Sequence, residues 1–175
     1  MSNSFATRGV AALLSVGFGV SANAAIVQTF SVGSGNKSSV IQIDFQNGNG
    51  YQINYSWSQS AHSSWDAMLG IDAALPQMSM QFDTYSFGVF LTGVTIGVDT
   101  NYGQGDVAPY ENYWHFWTRD SGQWQQAMIG ASDRTLVDGS NDAWVFGSST
   151  APQSIPAPGA AMVLVASAFF TRRRR

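Results

Sequence analysis

The sequence of 175 residues contains no cysteine, and only 11% of its residues are charged. Without cysteine, no disulfide can brace the fold and no thiolate can act as a nucleophile or metal ligand, which excludes several classes of enzyme. Hydrophobic residues make up 45% of the chain and aromatic residues 13%. This balance is typical neither of a disordered polar chain nor of a continuously apolar membrane protein. The fold must therefore depend on an aromatic and aliphatic core, and the length suits a single domain.

Basic residues are scarce between the two ends of the chain. Arg8 lies near the start and four arginines close the sequence, which leaves only Lys37, Arg119 and Arg134 between them. The same middle region holds all eleven acidic residues, so three positive charges against eleven negative ones give it a net charge of about −8. Three dispersed cations form no basic stripe that could neutralise phosphates, and nucleic acid is therefore excluded as a partner.

The start of the chain has the features of a secretory signal peptide. Arg8 precedes an apolar stretch, VAALLSVGFGV, which is followed by SANAA. One early positive charge, a short apolar region and a small-x-small cleavage site are typical of such signals. An N-terminal core helix is the alternative, but the two glycines of GFG disfavour it. We predict that residues 1–24 are recognised by export machinery and removed after Ala24, at a site formed by Ala22, Ala24 and Ala25.

The chain ends IPAPGAAMVLVASAFFTRRRR, in which an apolar run lies between two prolines and four arginines. As a helix this run would reach about 16 Å, whereas a membrane-spanning helix needs about 20 apolar residues. It is short for a permanent anchor, yet the order of its parts is that of a stop signal under the positive-inside rule. The alternative, a buried terminal helix, is disfavoured by the four arginines.

This tail resembles the PEP-CTERM sorting signals of exported bacterial proteins. Two features depart from that family, because Ala157 stands in place of a glutamate and the apolar run is short. The resemblance implies recognition by a membrane exosortase and transient membrane contact through a hydrophobic sorting helix in residues 156–175. It also implies release or attachment at the cell surface. The residues that carry it are Pro156, Pro158, Gly159, Arg172, Arg173, Arg174 and Arg175.

Between the two signals, residues 25–147 are predicted to form one domain, and residues 148–158 a spacer of small residues and prolines. A β-hairpin is predicted around NGNG at residues 47–50. Strand-like apolar residues lie before this turn, and residues that alternate onto one face lie after it. In chain order they are Val40, Ile41, Ile43 and Phe45, then Tyr51, Ile53, Tyr55 and Trp57.

A short helix is predicted in SSWDAMLGIDAALP. Ser63 or Ser64 can cap it, Asp66 lies in its first turn, and Pro76 ends it. Its apolar residues at helical spacing are Trp65, Met68, Leu69 and Leu75.

Further strands are predicted after the helix. Glycine-marked strands supply Val89, Leu91 and Val94 to the core, DSG at residues 120–122 turns a second hairpin, and the last strand covers residues 143–146. This order of elements predicts an α+β fold, a small β-rich domain with one short helix on a mixed or antiparallel sheet.

The middle of the chain also resembles a known family, on SSWDAMLGIDAAL, YSFGVFLTGVTIG and the stretch from YENYWHFW to DAWVFG. These segments are similar to the β-grasp-like domain that closes transcobalamins and recurs in secreted bacterial proteins. The resemblance implies a β-grasp-like fold whose loops meet a corrinoid or another partner. The helical domain that completes the transcobalamin site is absent, so tight cobalamin binding is not expected.

Catalytic groups are scarce. The sequence has no G-x-S-x-G, no H-E-x-x-H and no glycine-rich phosphate loop after a strand. Of the two histidines, His62 and His115, the second lies between Trp114 and Phe116 in a strand, where a structural histidine is favoured over a base. We predict no catalytic residue, no metal and no cofactor.

Two groups of oxygen-bearing side chains are candidates for a glycosidase pair and for a calcium site, and in each case ordinary loop residues are the alternative. Glu111 and Asp120 form a glycosidase pair only if they face each other across a cleft at about 5 to 10 Å, and solvated loop charges are favoured. Asp138, Asn141 and Asp142 offer oxygens for calcium, but their spacing departs from the EF-hand pattern. A plain turn is favoured there.

The densest feature of the sequence is a group of aromatic residues in YENYWHFWTRDSGQW. Strand alternation places Tyr113 and Trp117 on one face and Trp114 on the other. If one face is exposed, Tyr113, Trp114, Trp117 and Trp124 form a platform for sugar rings or an apolar ligand. Core packing on both faces is the favoured interpretation, and the exposure of Trp114 or Trp117 distinguishes the two.

Together these features predict an exported, non-enzymatic protein of the cell surface or extracellular matrix, processed at its C-terminal signal. The alternative is a secreted module that binds a carbohydrate or a small molecule, including a corrinoid-like ligand. An extracellular hydrolase is the third interpretation. The expected partners are export machinery, an exosortase-like processing enzyme and an extracellular polysaccharide.

Overall fold

A computed structural model describes residues 25–152. Both predicted signals, residues 1–24 and 156–175, lie outside the described residues, as does the later part of the predicted spacer. Nine strands and one helix are found within the described range. In chain order they are β1 (Ala25–Gly33), β2 (Lys37–Asp44), β3 (Asn49–Trp57), α1 (Ser64–Ala74), β4 (Met78–Tyr85), β5 (Gly88–Ile96), β6 (Asp99–Tyr102), β7 (Trp114–Arg119), β8 (Gln125–Gln126) and β9 (Asn141–Phe146).

Six strands form a mixed sheet in the order β1-β3-β2-β9-β7-β8. β1 pairs with β3, and β2 with β9, in parallel, while the other neighbours are antiparallel. The predicted hairpin is confirmed, because β2 and β3 are joined at NGNG. There the backbone N–H of Asn49 donates to Oδ1 of Asn47, and Gly48 has a φ of +89°, which favours glycine.

The remaining three strands form a second, antiparallel sheet in the order β4-β5-β6. The predicted core residues of this region are found on β5, where Leu91 and Val94 are buried and Val89 packs partly buried against the core. Glycine marks the turn between β4 and β5, since Gly88 has a φ of +136°. The sequence predicted these strands but not that they separate from the larger sheet.

The predicted helix is confirmed, with Ser63 as its N-cap. Oγ of Ser63 accepts a hydrogen bond from the backbone N–H of Asp66 at 3.0 Å, and the backbone N–H of Ser63 donates to Oδ2 of Asp66 at 2.9 Å. This reciprocal capping box satisfies two donors at the start of the helix. Leu75 is the C-cap and Pro76 follows it, so the predicted end is also confirmed.

One of the apolar residues at helical spacing lies outside the core. Leu69 is 40% exposed, whereas Met68 and Ile71 are fully buried. With 3.6 residues per turn, Leu69 lies about 100° round the helix from Met68, on the side away from Ile71. Gly70 allows the helix to approach the sheet, because a Cβ at this position would lie 2.8 Å from Oη of Tyr55.

The core lies between the larger sheet, the helix and the second sheet. Phe45 meets both Tyr51 and Trp114 edge to face, with ring centroids 5.6 and 5.5 Å apart. The predicted face of β3 is confirmed, since Tyr51, Ile53, Tyr55 and Trp57 are all buried.

The fold is therefore a small β-rich domain with one short helix and mixed and antiparallel sheets, as the sequence predicted. Its β-grasp-like character stays a prediction. Within residues 25–152, no helix has both the length and the apolar character that crossing a bilayer requires.

Candidate ligand cavity

The aromatic residues of β7 lie mostly inside the protein. Trp114 is 4% exposed and packs with Phe146 in the main core, and Trp117 is 8% exposed and packs with Ala143 on the other face of the sheet. The favoured interpretation, core packing on both faces, agrees with this burial. Neither indole ring is exposed, so the exposure that would favour a platform over core packing is not found at Trp114 or Trp117.

The other two platform residues, Tyr113 and Trp124, are half-buried. The guanidinium of Arg119 lies over the Trp124 ring, 4.6 Å from its centroid, and Nη2 of Arg119 donates to Oδ1 of Asn141 at 3.1 Å. Tyr113 packs against His115 with ring centroids 3.9 Å apart. Both aromatic rings are therefore engaged with neighbouring side chains.

A cavity of about 290 Å³ lies between the starts of β5 and β7. Its lining residues on β5 and β7 lie outside the stretches that pair with the next strands, since β6 pairs with β5 only at residues 93–96 and β8 pairs with β7 only at Trp117 and Thr118. Among the residues that line the cavity are Trp65, Phe90, Trp114, Phe116, Ile129 and Trp144.

The walls of the cavity are mainly aromatic and aliphatic. Phe116 stacks on Trp144 with ring centroids 4.6 Å apart, and Trp65 meets Phe82 edge to face at 4.9 Å. The indole N–H of Trp114 is buried and has no hydrogen-bond partner in the described part of the chain. A buried donor of this kind is favourably satisfied by an acceptor that enters the cavity.

A segment that the sequence analysis did not single out closes one side of the cavity. This roof segment, residues 126–131, is fixed at both ends, because the backbone N–H of Ala127 donates to the carbonyl of Phe116 and the carbonyl of Ala131 accepts from the backbone N–H of Trp65. Its letters QAMIGA follow neither strand nor helix periodicity. The only feature of the sequence that indicates a buried place for this segment is its apolar character next to a polar turn.

Arg134 anchors the chain just after the roof segment. Its guanidinium donates to both carboxylate oxygens of Asp120 and to the carboxylate of Asp142, which is fully buried. Burial raises the pKa of Asp142, although Arg134 opposes this effect. The hydrogen bond from Arg134 holds the pKa of Asp120 below its usual value.

His115 is buried beside the partly exposed carboxylate of Glu111, with Nε2 and Oε2 3.2 Å apart. Burial lowers the pKa of His115, although Glu111 opposes this effect. The favoured interpretation, a structural histidine, agrees with this packing. His62 lies elsewhere, stacked between the rings of Tyr55 and Trp57, with Nε2 3.0 Å from Oη of Tyr55.

The other oxygen-bearing candidates are not brought together. Glu111 pairs with His115 while Asp120 pairs with Arg134, so each proposed glycosidase carboxylate has its own separate partner.

The three residues considered for calcium are divided in the same way. Asp138 accepts from the backbone N–H of Ser38, Asn141 accepts from Arg119, and Asp142 accepts from Arg134. Within residues 25–152, no group of three or more His, Asp or Glu side chains is placed to hold a metal ion.

The family resemblances noted above rest on short motifs and stay predictions. Comparison of the chain with protein-family models, with curated proteins and with solved structures finds no match.

Proposed function

We propose that this chain is an exported protein of the cell surface or extracellular matrix, which acts without catalysis and is processed at its C-terminal sorting signal. The order of features along the chain supports this proposal: an apolar segment with an A-x-A site precedes the β-rich domain described in residues 25–152, and an apolar segment with four arginines follows it. Ala25, the first residue after the predicted cleavage site, is paired in β1, where its backbone nitrogen donates to the carbonyl of Gly48 at 2.8 Å. The new ammonium group keeps this donor, so cleavage leaves the strand intact.

Intact-mass analysis of the protein recovered from its native cells tests this proposal. We expect a chain that starts at Ala25 and lacks mass at the arginine end. An Ala22→Arg variant should keep its N-terminal segment, because a long charged side chain replaces a small one at the cleavage motif. Replacement of the four arginines by serine should instead leave the C-terminal segment in place. A full-length chain in the cytoplasm of wild-type cells would contradict the proposal.

Under the same proposal, the partners are export machinery, an exosortase-like membrane enzyme and an extracellular polysaccharide. The C-terminal segment would contact the membrane transiently. The acidic domain supports extracellular release, since a net charge far from zero favours solubility once the cationic tail is removed.

A second candidate function, a secreted module that binds a small molecule, is favoured by the cavity. Its volume of about 290 Å³ lies at the lower end of ligand pockets, which range over about 300–1,000 Å³. Such a space suits one small ring system and is too small to enclose a corrinoid. Binding of the mature protein to a glycan array, to corrinoids and to small aromatic molecules tests this candidate, and failure in all three assays would contradict it.

A further inference from the structure

We propose that the cavity between β5 and β7 binds a small, uncharged aromatic molecule that carries a hydrogen-bond acceptor, and that the indole N–H of Trp114 donates to that acceptor. This inference rests on the second candidate function, binding of a small molecule, and names the chemical class of the ligand. Three properties of the cavity carry it: the shape of its walls, the unpartnered indole N–H of Trp114, and the absence of Asp, Glu, Lys and Arg among its described lining residues.

The walls favour a flat ring. Aromatic side chains from four elements line the space, namely Trp65 of α1, Phe90 of β5, Trp114 and Phe116 of β7, and Trp144 of β9. Aromatic rings pack against one another in offset-stacked or edge-to-face arrangements, which contribute more than the buried area alone. A small aromatic molecule can adopt either arrangement here, whereas a flexible polar molecule would leave its own donors and acceptors without partners.

The donor favours an acceptor on that ring. Trp114 is 4% exposed, and its N–H finds no partner among residues 25–152. An indole N–H can only donate a hydrogen bond. Its partner on the ligand must therefore be an acceptor atom, such as a carbonyl oxygen, an ether oxygen or a ring nitrogen, and not a donor hydrogen. A ligand with such an atom satisfies a donor that the folded chain leaves unpaired.

The charge of the surroundings favours a neutral molecule. None of the described residues that line the cavity is Asp, Glu, Lys or Arg. His115 is among them, and burial lowers its pKa, which favours the neutral imidazole. The middle region of the chain is acidic, with eleven carboxylates against three cations, so an anionic ligand would meet no compensating positive charge.

One residue that lines the cavity is apolar and exposed. Ile129 is 53% exposed, and Met128 beside it in the sequence is almost fully exposed. Exposed apolar side chains at the rim of a pocket are typical of ligand-binding sites.

Three related probes test the inference with the mature protein: acetophenone, ethylbenzene and benzoate. They share a ring of similar size, but only acetophenone combines a neutral charge with an acceptor. We expect acetophenone to bind about threefold to tenfold more tightly than ethylbenzene, the ratio that one net hydrogen bond provides. Benzoate should bind more weakly than either probe. Ligand-observed NMR titration gives the three dissociation constants.

Two variants assign the binding to this cavity. Trp114→Phe keeps a ring but removes the donor, so the preference for acetophenone over ethylbenzene should disappear while ethylbenzene still binds. Ala131→Leu fills the space and should weaken both probes more than tenfold. Ala127→Leu, on the same roof segment, serves this purpose if Ala131→Leu does not fold.

Trp57→Phe is the matched control, because Trp57 is also a buried tryptophan with an unpartnered N–H but does not line the cavity. It should leave all three dissociation constants unchanged. Equal loss of preference in Trp57→Phe and Trp114→Phe would overturn the assignment to Trp114. If no probe binds while a glycan or corrinoid does, the aromatic ligand class is wrong and the binding function survives.

Discussion

Arg134 connects three parts of the chain that are distant in sequence. It lies just beyond the roof segment, and it bonds to Asp120 after β7 and to Asp142 in β9. Asp142 is fully buried while Asp120 is largely exposed. The bond to Asp142 therefore contributes more to stability than the bond to Asp120. A buried carboxylate without its cation strongly destabilises the fold, whereas an exposed ion pair contributes little to the free energy of unfolding.

We expect Arg134→Met to lower the free energy of unfolding by about 3 to 5 kcal/mol, because it leaves Asp142 buried and unpaired. Burial already raises the pKa of Asp142. Because the carboxyl pKa is raised in the folded state, stability is lost as the pH rises through that pKa. The difference in the free energy of unfolding between wild type and Arg134→Met should therefore shrink on acidification. Urea unfolding at several pH values measures both effects.

The double variant Arg134→Met, Asp142→Asn is the control for this prediction. It removes the unpaired charge and should recover part of the lost stability at neutral pH. A double variant no more stable than Arg134→Met would show that lost packing, and not the buried charge, causes the effect.

At the scale of elements, α1 depends on its first turn. The capping box between Ser63 and Asp66 satisfies donors at the helix start, and we expect Ser63→Ala to lower the free energy of unfolding by about 1 kcal/mol. Ser60→Ala is the matched control, since Ser60 is exposed and lies before the cap. Thermal unfolding of the two variants compares them, and equal melting temperatures would contradict the role of the cap.

Elements with local signals were predicted well. The NGNG turn, the alternation of β3 and the serine cap of the helix each depend on residues close in sequence, and each was found in place. The pairing of β9 between β2 and β7 was not predicted, because it joins residues about 100 positions apart and local periodicity carries no information about a strand's partner. For the same reason the separation into two sheets was not predicted.

The candidate cavity was only partly visible in the sequence. The aromatic residues of β7 marked its region, and Trp114 was among them. Its lining residues on β5 and β7 lie beyond the points where β6 and β8 stop pairing with these strands, which the sequence pattern does not determine. The roof segment carries apolar residues without periodicity, so it had no local signal for a place beside Trp65.

At the scale of the whole molecule, Asp99 joins the two sheets. This buried carboxylate at the start of β6 accepts hydrogen bonds from Oη of Tyr51 at 2.6 Å and from the side-chain amides of Asn47 and Asn49. The bond from Tyr51 is the main cause that lowers the pKa of Asp99. Burial is the main cause that raises the pKa of Tyr51 to about 12.

We expect Asp99→Ala to lower the free energy of unfolding by about 2 kcal/mol or more at neutral pH, since three donors lose a charged acceptor. The pKa of Asp99 is lower in the folded protein than the unfolded value of 3.8, so the ionised carboxylate stabilises the fold at pH values above 3.8. This stabilisation is lost as the pH falls through the folded pKa. Wild type and variant should therefore converge in acid. Urea unfolding from neutral pH to pH 3 measures this convergence.

Tyr51→Phe is the control, because it removes one donor and keeps the carboxylate with its two amides. Its effect should be smaller than that of Asp99→Ala. A constant difference between wild type and Asp99→Ala across the acid range would contradict the electrostatic explanation.

The central place of β9 in the larger sheet has a consequence for the order of folding. Its neighbours β2 and β7 are not paired with each other, so the strands before residue 141 form two halves that β9 joins. Under the proposed export, with the N-terminus leading, β1, β2 and β3 would cross the membrane first and leave the β9-facing edge of β2 unpaired. The larger sheet would then be completed only after β9 has crossed, shortly before the predicted C-terminal signal reaches the membrane.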